Sequence, residues 1–384
     1  MHDAPTVVFT GGGTGGHLYP ALALADELVK ERPEVRPVFI GANRGIESRV
    51  LPNQGREYNL LPVRGWKRGN VLTNLGVPWA LFKSIVAAVA IHRKYDSKLV
   101  VVTGGYSSAP AGVAAAVLGI PIVLQEQNAL PGVTTRVLSL WAKQIHVAFP
   151  KAISGLPLKA RDAVLTSGCP IQSPKEFGFN REEICDKFGL DPELKTLLVT
   201  GGSQGSVALN KLILGNLQKQ NVQIGDFFCN WQILWITGTE NYEAINKKLI
   251  GSPCSARVKM LPYVETMPWV LKIADLAVSR SGAMTTSEFL AWGVPSILVP
   301  LPTAAANHQE LNALAIQGLG AALHLTQGDL DSGKLWREIL QLTENGEKLK
   351  EMAKKALENA QPEATSNIVN SMLELLPKYR EGSP

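Results

Sequence analysis

A run of glycines that ends in a histidine is the first group of residues able to do chemistry. The segment TGGGTGGH spans residues 10–17 and directly follows the apolar stretch TVVF. Glycines at a strand-to-helix turn let a ligand approach the backbone amides at the helix start, where anions bind. His17 stands where that ligand would come, and an imidazole with a pKa of about 6.5 suits a general base. Spacing alone leaves a purely structural role for His17 equally open.

A second glycine turn, GGSQGS, occupies residues 201–206 after the apolar run TLLVT. Ser203, Gln204 and the neighbouring amides can hydrogen-bond phosphate oxygens at a helix start. A diphosphate can be neutralised there without a metal ion. The turn TGGGTGGH fits neither a dinucleotide fingerprint with its ribose acid nor a nucleotide-triphosphate P-loop. We therefore expect no metal and no cofactor.

The segment SRSGAMTTSE, residues 279–288, again exposes backbone through small residues. Thr285 and Thr286 are expected to cap a helix and to touch phosphate. Glu288 can accept hydrogen bonds from the two vicinal hydroxyls of a ribose. The alternative is that Glu288 is a first-turn acid that interacts with the helix dipole.

Neutral amides follow in NHQELNA, residues 307–313. Gln309 and Asn312 are three residues apart and therefore share one face of a helix. Amide side chains of this kind suit the recognition of sugar hydroxyls.

The elements that position these residues alternate between strand-like and helical patterns. This alternation predicts an α/β fold of parallel sheets with helices on both faces, in which ligands bind beyond the carboxyl ends of the strands. The strand candidates are TVVFT, RPVFI, KLVVVT, IPIVLQ, QIHVAF, TLLVT, QILWIT, VKMLPYV, LAVSR and PSILVP. The two halves resemble each other, so we expect two doubly wound, Rossmann-like domains that face each other across a cleft. The segment LTSGCPIQSPKEF, residues 165–177, is the expected linker.

Composition sets broad limits on the class of protein. The 384 residues suit about two domains, and a content of 45% hydrophobic and 18% charged residues is typical of a globular protein. The net charge of +5 is too weak to indicate nucleic-acid binding. Four cysteines without a CxxC pair favour free thiols in a reducing compartment. With neither a signal peptide nor a transmembrane segment in the pattern, we expect a cytosolic protein.

The region 61–98 combines basic and apolar residues. Its charged residues are Arg64, Lys67, Arg68, Lys83, Arg93, Lys94 and Lys98 against the single acid Asp96. Phe82, Ile85, Val86 and Val89 recur at helical spacing, with Trp79 and Leu81 nearby. The pattern alone favours a helix that packs on the core. The alternative is a surface that docks on anionic lipid.

Six motifs in order along the chain resemble those of the MurG family. They are GGTGGH, GGYSSAP, QEQNALPG, GGSQGS, RSGAMTTSE and NHQELNA. The resemblance implies a GT-B fold and an inverting transfer of N-acetylglucosamine from UDP-N-acetylglucosamine to the C4 hydroxyl of lipid I. Lipid I is undecaprenyl-diphospho-N-acetylmuramoyl-pentapeptide, and the product is the peptidoglycan precursor lipid II. The resemblance also implies a peripheral protein on the cytoplasmic face of the plasma membrane. There it would contact anionic lipid and, as possible partners, proteins of cell-wall synthesis.

The resemblance also assigns domains and residues. Residues 1–166, joined by a C-terminal helix 365–384, would bind lipid I and the membrane, and residues 167–364 would bind the UDP-sugar. His17 would be the catalytic base. The donor site would comprise Thr14, Gly15, Gly16, Asn128, Ser203, Val264, Ala283, Met284, Thr285, Thr286, Ser287, Glu288 and Gln309, with Tyr106, Gln204 and Asn312 as further candidates.

One departure from the family pattern falls in the linker. The family commonly has Asn-Pro-x-Arg there, whereas this chain has GCPIQ, which places Cys169 and Gln172 instead. The donor site would therefore lack one positive charge.

Three rival functions remain open from the sequence. A related glycolipid synthase would share RSGAMTTSE but diverge in GGTGGH and QEQNALPG. A UDP-N-acetylglucosamine 2-epimerase would show several carboxylates around the cleft, where the sequence offers chiefly Glu288. A non-catalytic binding subunit is disfavoured by the presence of both halves and of His17.

Overall fold

The computed structural model describes residues 4–65, 74, 76–178, 180–202, 205–218, 222–250, 255–331 and 333–377. The chain divides into two compact units. Unit 1 comprises Met1–Ile171 and Glu363–Pro384, and unit 2 comprises Gln172–Pro362. The chain therefore passes from one unit to the other twice.

Unit 1 is built on a seven-stranded parallel sheet with the strand order β3-β2-β1-β4-β5-β6-β7. The strands are β1 Thr6–Gly11, β2 Arg36–Ala42, β3 Tyr58–Leu61, β4 Ser97–Gly104, β5 Ile122–Glu126, β6 Gln144–Val147 and β7 Val164–Thr166. The central strands are nearly continuous apolar runs because helices cover both faces of the sheet.

Successive residues of these strands point to opposite faces and enter different cores. Val8 packs in the core beneath three helices, while its neighbour Val7 packs in the core on the other face. The helices of unit 1 are α1 Gly15–Glu31, α2 Glu47–Asn53, α3 Val77–Lys94, α4 Ala109–Leu118, α5 Val133–Leu138 and α16 Ala364–Leu373. Ile368 and Met372 of α16 pack in the same core as α1, so the end of the chain completes unit 1.

Unit 2 has a six-stranded parallel sheet with the order β10-β9-β8-β11-β12-β13. The strands are β8 Lys195–Thr200, β9 Trp231–Ile236, β10 Val258–Leu261, β11 Leu276–Ser279, β12 Ser296–Leu298 and β13 Ala322–His324. The helices are α6 Arg181–Phe188, α7 Val207–Leu217, α8 Val222–Asn230, α9 Thr239–Leu249, α10 Met267–Ile273, α11 Ala283–Trp292, α12 His308–Gly318, α13 Gln327–Asp331, α14 Lys334–Glu344 and α15 Gly346–Glu358.

Each sheet reverses its strand order at one place, between β1 and β4 in unit 1 and between β8 and β11 in unit 2. Ligands of doubly wound sheets bind beyond the carboxyl ends of the strands at this switch point. The motifs GGTGGH and GGYSSAP follow β1 and β4, and GGSQGS and RSGAMTTSE follow β8 and β11. The motifs therefore lie at the two switch points.

The α/β class with two doubly wound sheets is confirmed, and all ten predicted strands are present. Three strands were missed: β3, β7 and β13. All three lie at sheet edges, and they contain exposed or half-buried positions, so they lack the continuous apolar run of a central strand. The described helices include none long and apolar enough to cross a membrane.

The first crossing between the units falls after Ile171 rather than after residue 166. Cys169 and Ile171 are buried, and the Thr365 hydroxyl donates to the Ile171 carbonyl at 2.7 Å. Part of the expected linker is thus ordered structure of unit 1.

Candidate functional site

The glycines of the first loop divide into two groups. Gly11, Gly12 and Gly13 have no room for a side chain: a Cβ atom at Gly11 would lie 2.7 Å from the His17 carbonyl oxygen, and one at Gly12 2.5 Å from a Glu47 carboxylate oxygen. Gly13 also has a φ of +81°, which favours glycine. A Cβ at Gly16, in contrast, would meet nothing closer than 3.9 Å. The protein therefore has room for a side chain at position 16, and packing does not explain why the residue is glycine. Open space at this position is consistent with a ligand that approaches the backbone.

The backbone amides of this loop divide in the same way. The Gly12 amide donates to the Gly104 carbonyl at 3.4 Å, and the Gly13 amide donates to Glu47 Oε2 at 2.8 Å. The amides of Thr14, Gly15 and Gly16 have no acceptor in the described part of the chain. Thr14 is the N-cap residue of the 17-residue helix α1, and Gly15 and Gly16 are its first two residues. Their amides can therefore bind an anion at the positive end of the helix.

The His17 ring is oriented by its Nδ1 atom. Nδ1 lies 3.0 Å from the Thr103 carbonyl oxygen and 3.3 Å from Gln127 Oε1. A carbonyl oxygen only accepts, so Nδ1 carries the proton and the lone pair of neutral imidazole is on Nε2. Within the described residues nothing pairs with Nε2. The half-buried ring is thus held in one orientation by its Nδ1 contacts.

The His17 ring also packs beside Gln127 and the glycines that follow β4. Gln127 Nε2 donates to the same Thr103 carbonyl at 2.9 Å. A Cβ at Gly104 would lie 2.9 Å from His17 Nδ1, and Gly104 has a φ of +99°. GGYSSAP therefore begins with glycine because the imidazole occupies the space beside it.

Asn128 lies in a loop that a buried carboxylate holds. Glu126 Oε1 accepts from the Asn128 amide at 3.1 Å and from Asn128 Nδ2 at 3.2 Å. Its other oxygen accepts from the Gly132 amide at 2.9 Å and the Thr135 hydroxyl at 2.7 Å. Glu126 thereby fixes the loop QNALPG after β5. It also holds the side-chain nitrogen of Asn128.

Tyr106 lies against the glycine loop. A Cβ at Gly13 would come within 2.7 Å of the Tyr106 ring, and one at Gly65 within 3.2 Å. Burial, with the negative charge of Glu47 as a second cause, raises the pKa of the Tyr106 hydroxyl. The hydroxyl is therefore a neutral donor at physiological pH.

Arg280 organises the switch point of unit 2 and was not singled out from the sequence. Its Nη1 donates to the Val299 carbonyl at 3.1 Å, the Pro300 carbonyl at 2.9 Å and Gln327 Oε1 at 3.0 Å. Its Nε donates to Ser206 Oγ at 3.2 Å. Burial lowers the pKa of the guanidinium, which remains charged because an arginine pKa is so high.

No carboxylate of the described chain pairs with Arg280. Ser206, its partner, is the N-cap residue of α7 and accepts from the Leu209 amide. A buried positive charge therefore lies directly beside the loop GGSQGS. Gln172, in the position of the missing family arginine, is exposed, whereas Cys169 is buried.

Two predicted donor residues, Ser203 and Gln204, lie outside the described residues. The glycines that flank them, Gly202 and Gly205, have φ values of +83° and +73°. Val264 follows β10 and is half-buried.

Glu288 lies in the second turn of α11, which begins at Ala283. The first turn of α11 holds no acidic residue, so Glu288 is too far along to interact strongly with the helix dipole. Burial raises the pKa of its carboxyl to about 7, whereas a dipole partner would have a lowered pKa. No described residue donates a hydrogen bond to this half-buried carboxylate. These features favour a carboxylate kept for a ligand.

The threonines of the same motif differ from their predicted role. Gly282 is the N-cap residue of α11, and no side chain caps this helix start. Thr286 is buried, and its hydroxyl donates to the carbonyls of Gly282 and Ala283 at 3.2 and 3.0 Å. The prediction that Thr286 caps the helix is wrong because its hydroxyl bonds back to its own turn. Ala283 is buried, and Met284, Thr285 and Ser287 are half-buried.

Gln309 and Asn312 join α12 to the neighbouring loops. Gln309 Oε1 accepts from the Leu301 amide at 2.9 Å, which leaves its amide nitrogen for another partner. Asn312 is fully buried, and its Nδ2 donates to the Ser281 carbonyl at 3.2 Å. The structure therefore brings Gln309 and Asn312 to the turn after β11. Both contact Ser281 in that turn, and Asn312 is the buried one of the two.

Helix α3 of unit 1 presents apolar side chains to solvent. Trp79, Phe82 and Val86 are 61%, 56% and 55% exposed, and the first two rings stack at 5.7 Å. The interpretation that this stripe packs on the core is wrong for these residues. Ser84, Ala88 and His92 face the core instead. Ser84 and Ala88 are small enough for close contact with α4, and the His92 ring lies 3.1 Å from the Ala111 carbonyl of α4. Leu81 packs against that core, and Lys67 and Arg68 lie outside the described residues.

Comparisons with known proteins agree with the two units. Residues 7–147 match the glycosyltransferase family 28 N-terminal domain, and residues 196–368 match its C-terminal domain. Curated relatives include the UDP-N-acetylglucosamine--N-acetylmuramyl-(pentapeptide) pyrophosphoryl-undecaprenol N-acetylglucosamine transferases of Desulfitobacterium hafniense (strain Y51) and Moorella thermoacetica. They are 37% and 38% identical, and each alignment covers 96% of this chain and 98% of the relative.

A solved structure of Acinetobacter baumannii MurG matches with a TM-score of 0.73 and 27% identity, over 96% of this chain and 99% of that one. The S. aureus MnaA–UDP structure matches with a TM-score of 0.66 and 13% identity, over 99% of this chain and 100% of that one. The second likeness concerns the fold alone.

Proposed function

Because this chain belongs to the MurG family, we propose that it transfers N-acetylglucosamine from UDP-N-acetylglucosamine to lipid I. It is a hexosyltransferase with the two-domain GT-B fold. Its product is lipid II, the precursor of peptidoglycan, so the reaction serves cell-wall growth, cell shape and cell division. The products are formed with inversion at the anomeric carbon.

The observation that carries this proposal is the orientation of His17. The C4 oxygen of the muramoyl sugar attacks the anomeric carbon, and a new C–O bond forms as the bond to the UDP oxygen breaks. UDP leaves with the electron pair, and the hydroxyl proton passes to His17 Nε2. The hydrogen bond from Nδ1 to the Thr103 carbonyl holds the ring and stabilises the imidazolium that results.

The two units divide the binding work. In unit 1 the free amides of Thr14, Gly15 and Gly16 contact the acceptor diphosphate and the sugar that is transferred, and Asn128 contacts the donor sugar. In unit 2 the loop GGSQGS, the charge of Arg280 and the start of α11 bind the UDP diphosphate. Glu288 accepts from the ribose hydroxyls. Preorganised amides and this buried cation stabilise the charge that develops on UDP.

Further donor contacts follow from the family. The backbone of Val264 contacts the uracil, and the free amide nitrogen of Gln309 donates to a sugar hydroxyl. Ser203 and Gln204 contribute donors from the loop GGSQGS. Arg280 supplies in unit 2 a positive charge that Gln172 does not.

The proposal is tested by incubating the protein with UDP-N-acetylglucosamine and a water-soluble lipid I analogue and measuring product mass. We expect the acceptor to gain one N-acetylhexosamine and UDP to appear in equal amount. Unchanged acceptor together with conversion of the donor into its 2-epimer would establish the epimerase alternative instead. The buried carboxylates Glu47 and Glu126 of unit 1 are engaged by backbone amides, which disfavours that alternative.

We further propose that α3 docks on the anionic cytoplasmic face of the plasma membrane, where lipid I is anchored. Trp79 and Phe82 would enter the interface, and Val86 extends the apolar face. Lys83 lies 5.3 Å over the Trp79 ring, and Arg64 is exposed. Each basic residue near such a surface contributes about 1 kcal/mol.

The double variant Trp79→Ser and Phe82→Ser is expected to bind phosphatidylglycerol vesicles at least roughly thirtyfold more weakly, because each buried ring contributes about 1 kcal/mol or more. Sedimentation with vesicles measures this, and added salt should weaken wild-type binding as it screens Lys83 and Arg64. The control is the pair Val207→Ser and Ile250→Ser, two apolar residues of unit 2 that are more exposed than Trp79 and Phe82. Wild-type vesicle binding by the α3 variant would refute the docking surface.

A further inference from the structure

Glu47 is a fully buried carboxylate beneath the glycine loop. It is the first residue of α2 and has no exposed surface. Its Oε2 accepts from the Gly13 amide at 2.8 Å and its Oε1 from the Ala42 amide at 2.8 Å. No basic side chain of the described residues forms an ion pair with it. Removing a carboxylate from water without a counter-charge is costly, so the fold retains it for a reason other than stability.

Three separate glycines surround this carboxylate. A Cβ at Gly12 would lie 2.5 Å from its oxygens, one at Gly41 would lie 3.2 Å from the Glu47 Cβ, and one at Gly45 would overlap the carboxylate. The loops after β1 and β2 therefore both close around Glu47. Tyr106, whose ring lies against Gly13, is the next group outward.

We propose that Glu47 is a positioning residue that sets the glycine loop for the acceptor reaction. By engaging the Gly13 amide it fixes the turn that leads into α1. The next three amides, of Thr14 to Gly16, then remain free for the acceptor, and His17 follows them at a fixed place. This inference rests on the proposed transferase function. Glu47 itself touches neither His17 nor the reacting atoms.

The chemistry of the side chain makes the inference testable with an isosteric change. A carboxylate accepts through both oxygens, whereas glutamine has one oxygen and one NH₂ group. In Glu47→Gln the NH₂ group must face the N–H of Gly13 or Ala42, so one amide loses its acceptor. The variant keeps the shape of the side chain and removes the acceptor that holds either the glycine loop at Gly13 or the end of β2 at Ala42.

Glu47→Gln is expected to lower kcat/KM for a soluble lipid I analogue roughly tenfold to thirtyfold and to leave the Kd for UDP, which binds unit 2, within twofold. The acidic limb of the pH–rate profile should keep its position, because His17 remains the base. The control is Glu31→Gln, the same charge change at an exposed position of unit 1, with wild-type kinetics expected. A folded Glu47→Gln variant with unchanged kcat/KM would overturn the proposal.

Hydrogen exchange resolved to single amides gives a second test, and it does not depend on activity. In the wild-type protein the amides of Gly13 and Ala42 should exchange slowly, and those of Thr14 to Gly16 rapidly. Fast exchange at Gly13 overturns the proposal even where Glu47→Gln does not fold. A wild-type protein that shows slow exchange at Gly13 but no transfer would instead refute the proposed function.

Discussion

Replacement of His17 by alanine is expected to lower kcat by roughly 10²–10⁴-fold, the contribution typical of a positioned general base. The reason is the geometry of the ring. Nδ1 is held at 3.0 Å from the Thr103 carbonyl, so the basic lone pair on Nε2 has one fixed direction. Steady-state kinetics on the soluble acceptor, repeated over a series of pH values, measure the effect. The variant should also lack the acidic limb of the pH–rate profile that the general base produces in the wild-type enzyme.

The control for this experiment is donor binding, which calorimetry with UDP measures directly. His17→Ala should keep the wild-type Kd for UDP, because His17 lies in unit 1 and the proposed UDP ligands lie in unit 2. Near-normal turnover with the acidic limb intact would mean that His17 is structural and that another group accepts the proton.

Replacement of Glu288 by glutamine is expected to weaken UDP binding by about 10- to 150-fold. This corresponds to about 1.5–3 kcal/mol, the value of hydrogen bonds to a charged group. Because burial raises the pKa of Glu288 to about 7, wild-type affinity should fall as the pH is lowered below 7 and the carboxylate is protonated. The affinity of the variant should not change over this range. Calorimetry at several pH values provides both measurements.

The matched control is Glu344→Gln, an exposed acid of the same unit, which should bind UDP as the wild type does. A Kd for Glu288→Gln equal to that of the wild type would remove the ribose role.

The stability of Glu288→Gln gives an independent check with a definite sign. The pKa in the folded state is raised above the unfolded value of about 4.5, so the folded protein binds more protons between these two values. The stabilisation is complete below about pH 4.5 and is lost as the pH rises through 7. At pH 8 the variant should therefore be more stable than the wild type, by up to about 3 kcal/mol. A destabilised variant at pH 8 would indicate that the carboxylate has a partner in the folded protein.

The sequence was sufficient for the fold because central parallel strands are apolar on both faces and each is followed by a small-residue turn. It was also sufficient to place the two glycine turns between a strand and a helix, after β1 and after β8. It could not distinguish the roles of two glycines in the same turn. Gly12 must be glycine because Glu47 occupies the space beside it, whereas packing leaves room for a side chain at Gly16. That distinction depends on residues more than thirty positions away.

The residues missed in the sequence share one property. Glu47 and Glu126 bind backbone amides, and Arg280 binds two backbone carbonyls and two uncharged side chains. Uncharged partners leave no complementary charge in the sequence, so nothing in RGIES or LAVSR distinguishes these side chains from solvated ones. The apolar residues of α3 were predicted to pack on the core because the sequence shows a clear pattern that has two meanings. Helical periodicity of apolar residues is the same for a face that packs on a core and for one that is exposed.

The discontinuity of unit 1 has a consequence for biosynthesis. Unit 2 is one contiguous stretch, so it can fold as soon as Pro362 has left the ribosome. The core of unit 1 beside α1 instead includes Ile368, Val369 and Met372 of α16, which are translated after all of unit 2. Until α16 is made, the apolar residues of α1 and β1 lack the helix that packs on them in the folded protein. During synthesis, unit 1 is therefore the half of the protein that most needs chaperone protection, although it is made first.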